Sequence, residues 1–248
     1  MSRGALRLPA RRHRHPGAAR ANEPGDVLRC LLLAGGPEWV ALDLATGALV
    51  RSRASGWPVV PADSGLARRA AAEDVPGLGP LPELSVVEVE LAEDDEPADP
   101  ARPEAVMIRA APALVGTLHR RAVRRVLKEL LPADSRRPLL GSLGPSISYE
   151  DLDGSRPSVT LVAPDRLPAF GRDANGTWCQ FTLGGRKHRL PVTDARIATV
   201  DGPSRGGPLA HEAVTRALGG TPRFLVVALG VPRRGQSPKL VLSALPRP

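Results

Sequence analysis

Residues 178–194 read WCQFTLGGRKHRLPVTD, and this stretch decides the fold. Gly184-Gly185 tolerates the positive φ angles of a two-residue hairpin turn, so two short strands meet there. Pairing Leu183 with Arg186 fixes the register. Because side chains alternate along a strand, Cys179, Phe181, Leu183, His188 and Leu190 share one face, which is mostly apolar. Trp178, Gln180, Thr182, Lys187 and Arg189 share the other. An exposed aromatic, an amide and two cations on one face suit phosphates and stacked bases. The plainer reading is a solvated sheet face whose tryptophan is partly covered by a loop.

Outward from the hairpin, the second half reads as strand, strand, strand, helix, strand, strand. Ser158–Ala163 is its first strand, and the hairpin supplies the second and third. Leu209–Leu218 is a short helix closed by Gly219-Gly220. Arg223–Leu229 and Lys239–Ala244 are the fourth and fifth strands. The first half follows the same order. Val27–Ala34, Glu38–Leu44 and Ala48–Arg53 are strands, and Asp63–Glu73 makes a short helix capped by Asp63 or Ser64. Leu84–Leu91 alternates as a strand with Glu88 and Glu90 toward water, and Ala105–Arg109 is the fifth strand. This is the order of the OB-fold, a small Greek-key barrel whose strand 2–3 face and end loops bind oligonucleotides or oligosaccharides. Meeting it twice argues against chance.

Between the halves, Thr117–Leu131 (TLHRRAVRRVLKELL) is predicted as a helix capped by Thr117 and stopped by Pro132. Leu118, Ala122, Val126 and Leu130 form its apolar stripe. Arg120, Arg121, Arg124, Arg125 and Lys128 lie largely off it. Such a helix faces nucleic acid or an anionic membrane surface, or more commonly packs on its own domain with a solvated charged face. Rich in arginine and short of bulky aromatics, it is a poor membrane anchor. The expected fold is therefore mainly β with a few short helices: two OB-fold-like small β-barrels joined by a basic amphipathic helix. The expected divisions are a disordered basic arm over 1–25, a first barrel over 26–110, a linking helix and loop over 111–156, and a second barrel over 157–246.

Composition agrees with many short elements. Aromatic residues are 3% of the 248, while 27 prolines and 25 glycines supply turns and 42% apolar residues supply a core. The net charge of +8 is unevenly spread. Residues 1–25 hold six arginines and one acid, residues 26–110 seven arginines and fifteen acids, and residues 111–248 twenty-one Lys or Arg and ten acids. A polyanion is expected on the basic second half, and a protein partner could use the acidic first half. Residues 1–25 lack the apolar core of a secretory signal, and are expected to be a disordered arm or the product of an upstream start codon. Cys30 and Cys179 each sit in an apolar run, so two buried free thiols in a reducing cytoplasm are expected. No apolar run approaches the roughly 18 residues needed to span a membrane.

Three segments carry a family resemblance: RLPVTD (189–194), FLVVALGVP (224–232) and PKLVLSA (238–244). They resemble the end of the bacterial dual OB-containing domain family, where an aromatic strand and a basic or aromatic hairpin precede LPVTD. In the first half, VVEVELAEDDEPADPARPEAVMI (86–108) is similar to that family's strand, Pro-rich segment and following strand. The resemblance covers residues 27–245. It departs at Gly35-Gly36-Pro37, a shorter loop than the family's glycine- and cysteine-containing one, and at Trp39–Leu42. It implies two OB-like barrels and nucleic-acid binding, and it carries over no catalytic residues.

The chemistry-bearing residues point away from an enzyme. The five histidines (His13, His15, His119, His188 and His211) form no HExxH pair, and there is no CxxC. Phosphate-loop, dinucleotide-binding and nucleophile-elbow motifs are absent. Glu150, Asp151 and Asp153 cluster before Gly154, which reads as a solvated turn more readily than as a divalent-cation site. Asp194 reads as a turn cap. No catalytic residue, metal site or cofactor is therefore expected. The expected function is non-enzymatic binding of single-stranded DNA or RNA through Trp178, Gln180, Arg186, Lys187 and Arg189, with Arg233 and Arg234 in the loop between strands four and five. A protein-interaction scaffold is the alternative, and a metal-dependent nuclease using the acidic cluster comes after it.

Overall fold

The computed structural model describes residues 26–35, 39–52, 82–92, 99–106, 108, 112–202 and 206–248. The expected arm over 1–25 and the helix over 63–73 lie outside the described residues. The first half contributes β1 (Val27–Gly35), β2 (Trp39–Asp43), β3 (Leu49–Ser52), β4 (Ser85–Glu90), β5 (Ala105–Val106) and β6 (Ala113–Thr117). Helix α1 (Arg120–Leu130) follows. The second half contributes β7 (Ser146–Ser148), β8 (Val159–Val162), β9 (Ala169–Asp173), β10 (Gly176–Leu183), β11 (Arg186–Pro191), α2 (Ala195–Ala198), β12 (Gly207–Pro208), α3 (His211–Ala217), β13 (Pro222–Leu229) and β14 (Gln236–Pro246). The chain is mainly β, with curled sheets that include a half-barrel. No helix among the described residues is long and apolar enough to cross a membrane.

In the first half the strand order is β5-β3-β2-β1-β4-β6. β1, β2 and β3 form an antiparallel meander, and β4 returns beside β1. β5 lies parallel to β3. An antiparallel bridge between Leu91 and Ile108 draws the ends of β4 and β5 together, so the sheet curls.

The second half repeats this circuit with one strand split in two. β9, β10 and β11 form the meander, and β8 leads into it while pairing with β13. β13 and β14 are antiparallel, and a parallel bridge between Val192 and Val241 joins the exit of β11 to β14. The expected first strand, Ser158–Ala163, is thus seen as β8, but its partner is β13. The hairpin's own neighbour is β9, which the sequence did not reveal: Phe170 is its lone large apolar side chain.

Three apolar layers follow from strand alternation. Cys30 and Leu32 of β1 point into the first curl with Trp39, Ala41, Val50, Val87 and Val89. Leu31 and Leu33 point the other way, onto Val159, Leu161, Val226, Ala228 and Leu245 of the second half. Phe170, Cys179, Phe181, Leu183 and Leu190 close over Leu225, Val227, Val241 and Ala244 in the third layer. Strands β1 and β13 are buried on both faces, which is why they read as nearly unbroken apolar runs.

Helix α1 seals the middle layer with Val123, Val126 and Leu127. Its start differs from the expected one. Thr117 pairs with Ser85 as the last residue of β6, and His119 caps the helix, its Nδ1 accepting from the Arg121 N–H at 3.2 Å. Val123, Val126 and Leu127 are buried, and Leu118 and Leu130 of the expected stripe pack partly buried against the same layer. Polar contacts also cross the seam. Buried Arg51 donates to Ser158 Oγ at 3.1 Å and to the Leu229 carbonyl at 2.6 Å. The Glu104 carboxylate accepts from Ser158 N and Oγ at 2.8 and 2.6 Å. Arg196 pairs with Glu83 of the first half at 2.5 Å and with Asp194 of the second at 2.7 Å.

Leu127 is fully buried at this seam, so Leu127→Ala should cost about 3 kcal/mol. Urea denaturation followed by tryptophan fluorescence and by circular dichroism should show both probes shifting together, because one layer serves both halves.

Candidate functional site

The hairpin is built as its period-two pattern requires. Leu183 pairs with Arg186, Phe181 with His188 and Cys179 with Leu190. Gly184 (φ 56°) and Gly185 (φ 80°) form the turn. Cys179, Phe181, Leu183 and Leu190 are buried, and the His188 ring stacks on Phe181 with centroids 5.1 Å apart. Burial, with the charges of Lys239 and Arg186, lowers the His188 pKa. Both cysteines are free, and burial raises the Cys30 thiol to about 12 and also raises the Cys179 thiol.

On the outer face, Trp178 is not a bare platform. Its ring lies on the backbone of β9: a Cβ added to Gly171 would come 2.1 Å from Trp178 Cζ2. The Arg189 guanidinium sits over the ring, 4.3 Å from its centroid, and donates to Asp173 Oδ2 at 2.8 Å. One face of the indole therefore meets glycine and the other meets a guanidinium held by an exposed carboxylate. A base can stack here only by displacing Arg189. Gln180 and Lys187 are exposed on this face, whereas Arg186, opposite Leu183, is exposed at the turn on the His188 side.

The turn is anchored from two sides. The N–H groups of Gly184 and Gly185 donate to the two carboxylate oxygens of Asp165, at 3.2 and 2.9 Å. A Cβ on Gly184 would meet the Ser135 carbonyl oxygen at 2.4 Å, so the turn rests on the loop that follows α1. This brings the Ser135–Arg136 backbone against the turn that precedes Arg186 and Lys187, and Arg136 and Arg137 are both exposed. The Ser135-Arg136-Arg137-Pro138 run is their sequence signal, and it falls inside the linking segment expected over 111–156.

Arg233 and Arg234 occupy a second tight turn, in which Arg233 and Gln236 exchange backbone hydrogen bonds. Arg234 takes φ 51° and Gly235 φ 73°. Both arginines are exposed, but this turn lies against a different neighbour: the Tyr149 N–H donates to the Gly235 carbonyl, which places the exposed Glu150 and Asp151 next to it. The structure therefore groups Trp178, Gln180, Arg186, Lys187 and Arg189 on one hairpin and sets Arg233 and Arg234 on another.

The remaining candidates have structural roles. Asp194 caps α2, accepting from Arg196 N at 3.1 Å, and also accepts from Ala244 N at 3.0 Å. The Asp153 carboxylate accepts from Ser155 N and Oγ, and those hydrogen bonds lower its pKa. Among the described residues no group of three or more His, Cys, Asp or Glu is placed to hold a metal ion. Strand alternation alone does not single out Lys239. This fully buried side chain donates to the carbonyls of Ser142 (2.6 Å) and Gly144 (2.7 Å), and burial lowers its pKa to about 8. It pins the 142–144 loop onto β14.

A scan against protein-family models, a search of curated proteins and a search of solved structures each found no match to this chain.

Two measurements check this geometry. Gly171→Ala should lift the Trp178 ring from β9, shift part of the tryptophan emission to the red and destabilise the fold by about 1–3 kcal/mol. Lys239 has a folded pKa below its unfolded value, so its charged form opposes folding. Stability should rise as pH increases from about 8 toward the unfolded pKa of 10.5 and be lost again as pH falls through 8. Denaturation midpoints of the parent and Lys239→Met should diverge over that window, the parent gaining up to about 3 kcal/mol relative to the variant.

Proposed function

We propose that this chain is a non-enzymatic nucleic-acid-binding protein of two OB-fold-like barrels, taking single-stranded DNA or RNA on its basic second half. The repeated circuit supports the barrel reading. In each half a three-strand meander is followed by two further strands. The last of these takes a parallel partner at the end of the meander. The one before it returns beside β1 in the first half and beside β8, the strand that leads into the meander, in the second. The likeness of residues 189–194, 224–232 and 238–244 to the dual OB-containing domain family points the same way. Two buried free thiols suit a reducing cytoplasm, where we place the protein.

The observation that carries the functional reading is the outer face of β10 and β11, where Gln180 and Lys187 are exposed with the Trp178–Arg189 stack, and Arg186 is exposed at the turn on the His188 side. Phosphate neutralisation by such cations supplies most of the affinity and makes it salt-sensitive. The stacked Arg189 favours backbone contacts over base stacking at this point, so sequence preference should be weak. Fluorescence anisotropy with labelled single-stranded DNA and RNA at low salt tests the reading. Arg186→Glu with Lys187→Glu should weaken binding by about tenfold or more and flatten its salt dependence. Absence of binding by the parent protein, or identical binding by the double variant, would defeat it.

A scaffold role is the second reading, and one observation favours it. β6 is an edge strand with Leu114 and Val115 exposed at 53% and 46%. A protein that copurifies stoichiometrically, and is lost on Leu114→Lys, would support that role.

A further inference from the structure

We propose that the exposed cations of α1 and those around the β10–β11 turn form one continuous track for the sugar–phosphate backbone of a nucleic-acid strand, crossing the seam between the two halves. The inference rests on the nucleic-acid reading above and extends its site to a second element.

Helix α1 spends its apolar side chains on the middle core layer and leaves Arg120, Arg121, Arg124, Arg125 and Lys128 exposed. Their spacing makes two rows, 120/124/128 and 121/125, with about 6 Å of rise between successive members. No acid occupies the first turn. The chain then leaves the helix at Leu130, and by Ser135 it lies in contact with Gly184 at the hairpin turn. Arg136 and Arg137 therefore bridge the interval between the last turn of α1 and Arg186 and Lys187.

Glu129, exposed in the last turn of α1, follows Arg121 and Arg125 in the same row, while the acids between the helix and the hairpin turn are engaged with backbone. Asp134 accepts from Arg136 N at 2.9 Å, and Asp165 accepts from the two turn glycines. Apart from Glu129, the path presents arginine and lysine side chains outward, while the carboxylates of Asp134 and Asp165 close turns. Charge complementarity identifies the occupant as a phosphate backbone. An anionic membrane surface fits less well, because Val123, Val126 and Leu127 are buried and no aromatic lies on the helix.

The test compares three double variants of the full chain, all at exposed positions: Arg121→Glu/Arg125→Glu on the helix, Arg186→Glu/Lys187→Glu on the hairpin, and Arg216→Glu/Arg223→Glu as a control elsewhere on the second half. Binding is measured against salt with a single strand of about 20 nucleotides, long enough to occupy the whole path. The helix and hairpin variants should each lose about tenfold or more in affinity, and each should reduce the slope of log K against log salt by about 1.4, the loss of two phosphate contacts on a single strand. The control should stay within about twofold of the parent.

A helix variant with the parent's affinity and slope, beside a weakened hairpin variant, would overturn the track and leave the proposed function standing. A control weakened as much as the helix variant would overturn it as mere net-charge attraction. A helix variant that keeps its nucleic-acid affinity but loses adsorption to phosphatidylserine vesicles would assign the face to membranes. A parent protein that binds no strand would defeat both readings together.

Discussion

The structure depends on one shared apolar layer. Leu31 and Leu33 from β1, Val40 and Leu42 from β2, three residues of α1, and Val159, Leu161, Val226, Ala228 and Leu245 from the second half all bury into it. Each large aliphatic side chain there contributes about 1.5–3 kcal/mol by leaving water. Neither curled sheet could leave these residues exposed, so the two halves are one cooperative object joined across their backs. The polar contacts at the seam refine that packing. Arg51 tolerates complete burial because Ser158 and the Leu229 carbonyl accept from it. Glu83 keeps a raised pKa from burial even beside Arg196, so this pair costs desolvation while it fixes the relative register of the halves.

What the sequence disclosed follows from period and turn chemistry. The hairpin register was readable because two glycines fixed the turn and alternation fixed everything after it. The back-to-back packing was not, since an unbroken apolar run such as VLRCLLLA signals burial on both faces without saying against what. β9 escaped notice because a glycine sits where a strand would carry a second large side chain; the reason for Gly171 appears only once the Trp178 ring is seen lying on it. The cap of α1 lies two residues later than expected, at His119, because β6 claims Thr117 through a partner 32 positions earlier, Ser85. Buried cations such as Arg51 and Lys239 were equally hidden. In sequence they occupy the places that exposed residues of an alternating strand would take.

The cations of the second half fall into distinct kinds. Lys239 is an internal fastener whose ammonium replaces water with two carbonyls. Arg189 is committed to an indole face and a carboxylate, and being exposed it gains little stability from the ion pair itself. Arg186 and Lys187 stand at the solvent end of the same strand. A count of positive residues treats all four alike, whereas burial and hydrogen bonding separate those that hold the protein together from those that face outward. The charge available to a ligand is accordingly smaller than the composition suggests, and more localised.

The di-glycine turn has a further consequence. Two successive N–H groups in left-handed geometry form a concave donor pair of the kind that elsewhere cradles phosphate. Here the chain supplies its own tenant, Asp165, from 19 residues upstream. Main-chain recognition at the tip is thereby closed to outside anions, and whatever this end of the molecule recognises must be read by side chains alone. Such a surface can change its preference by single substitutions, with the turn beneath left untouched.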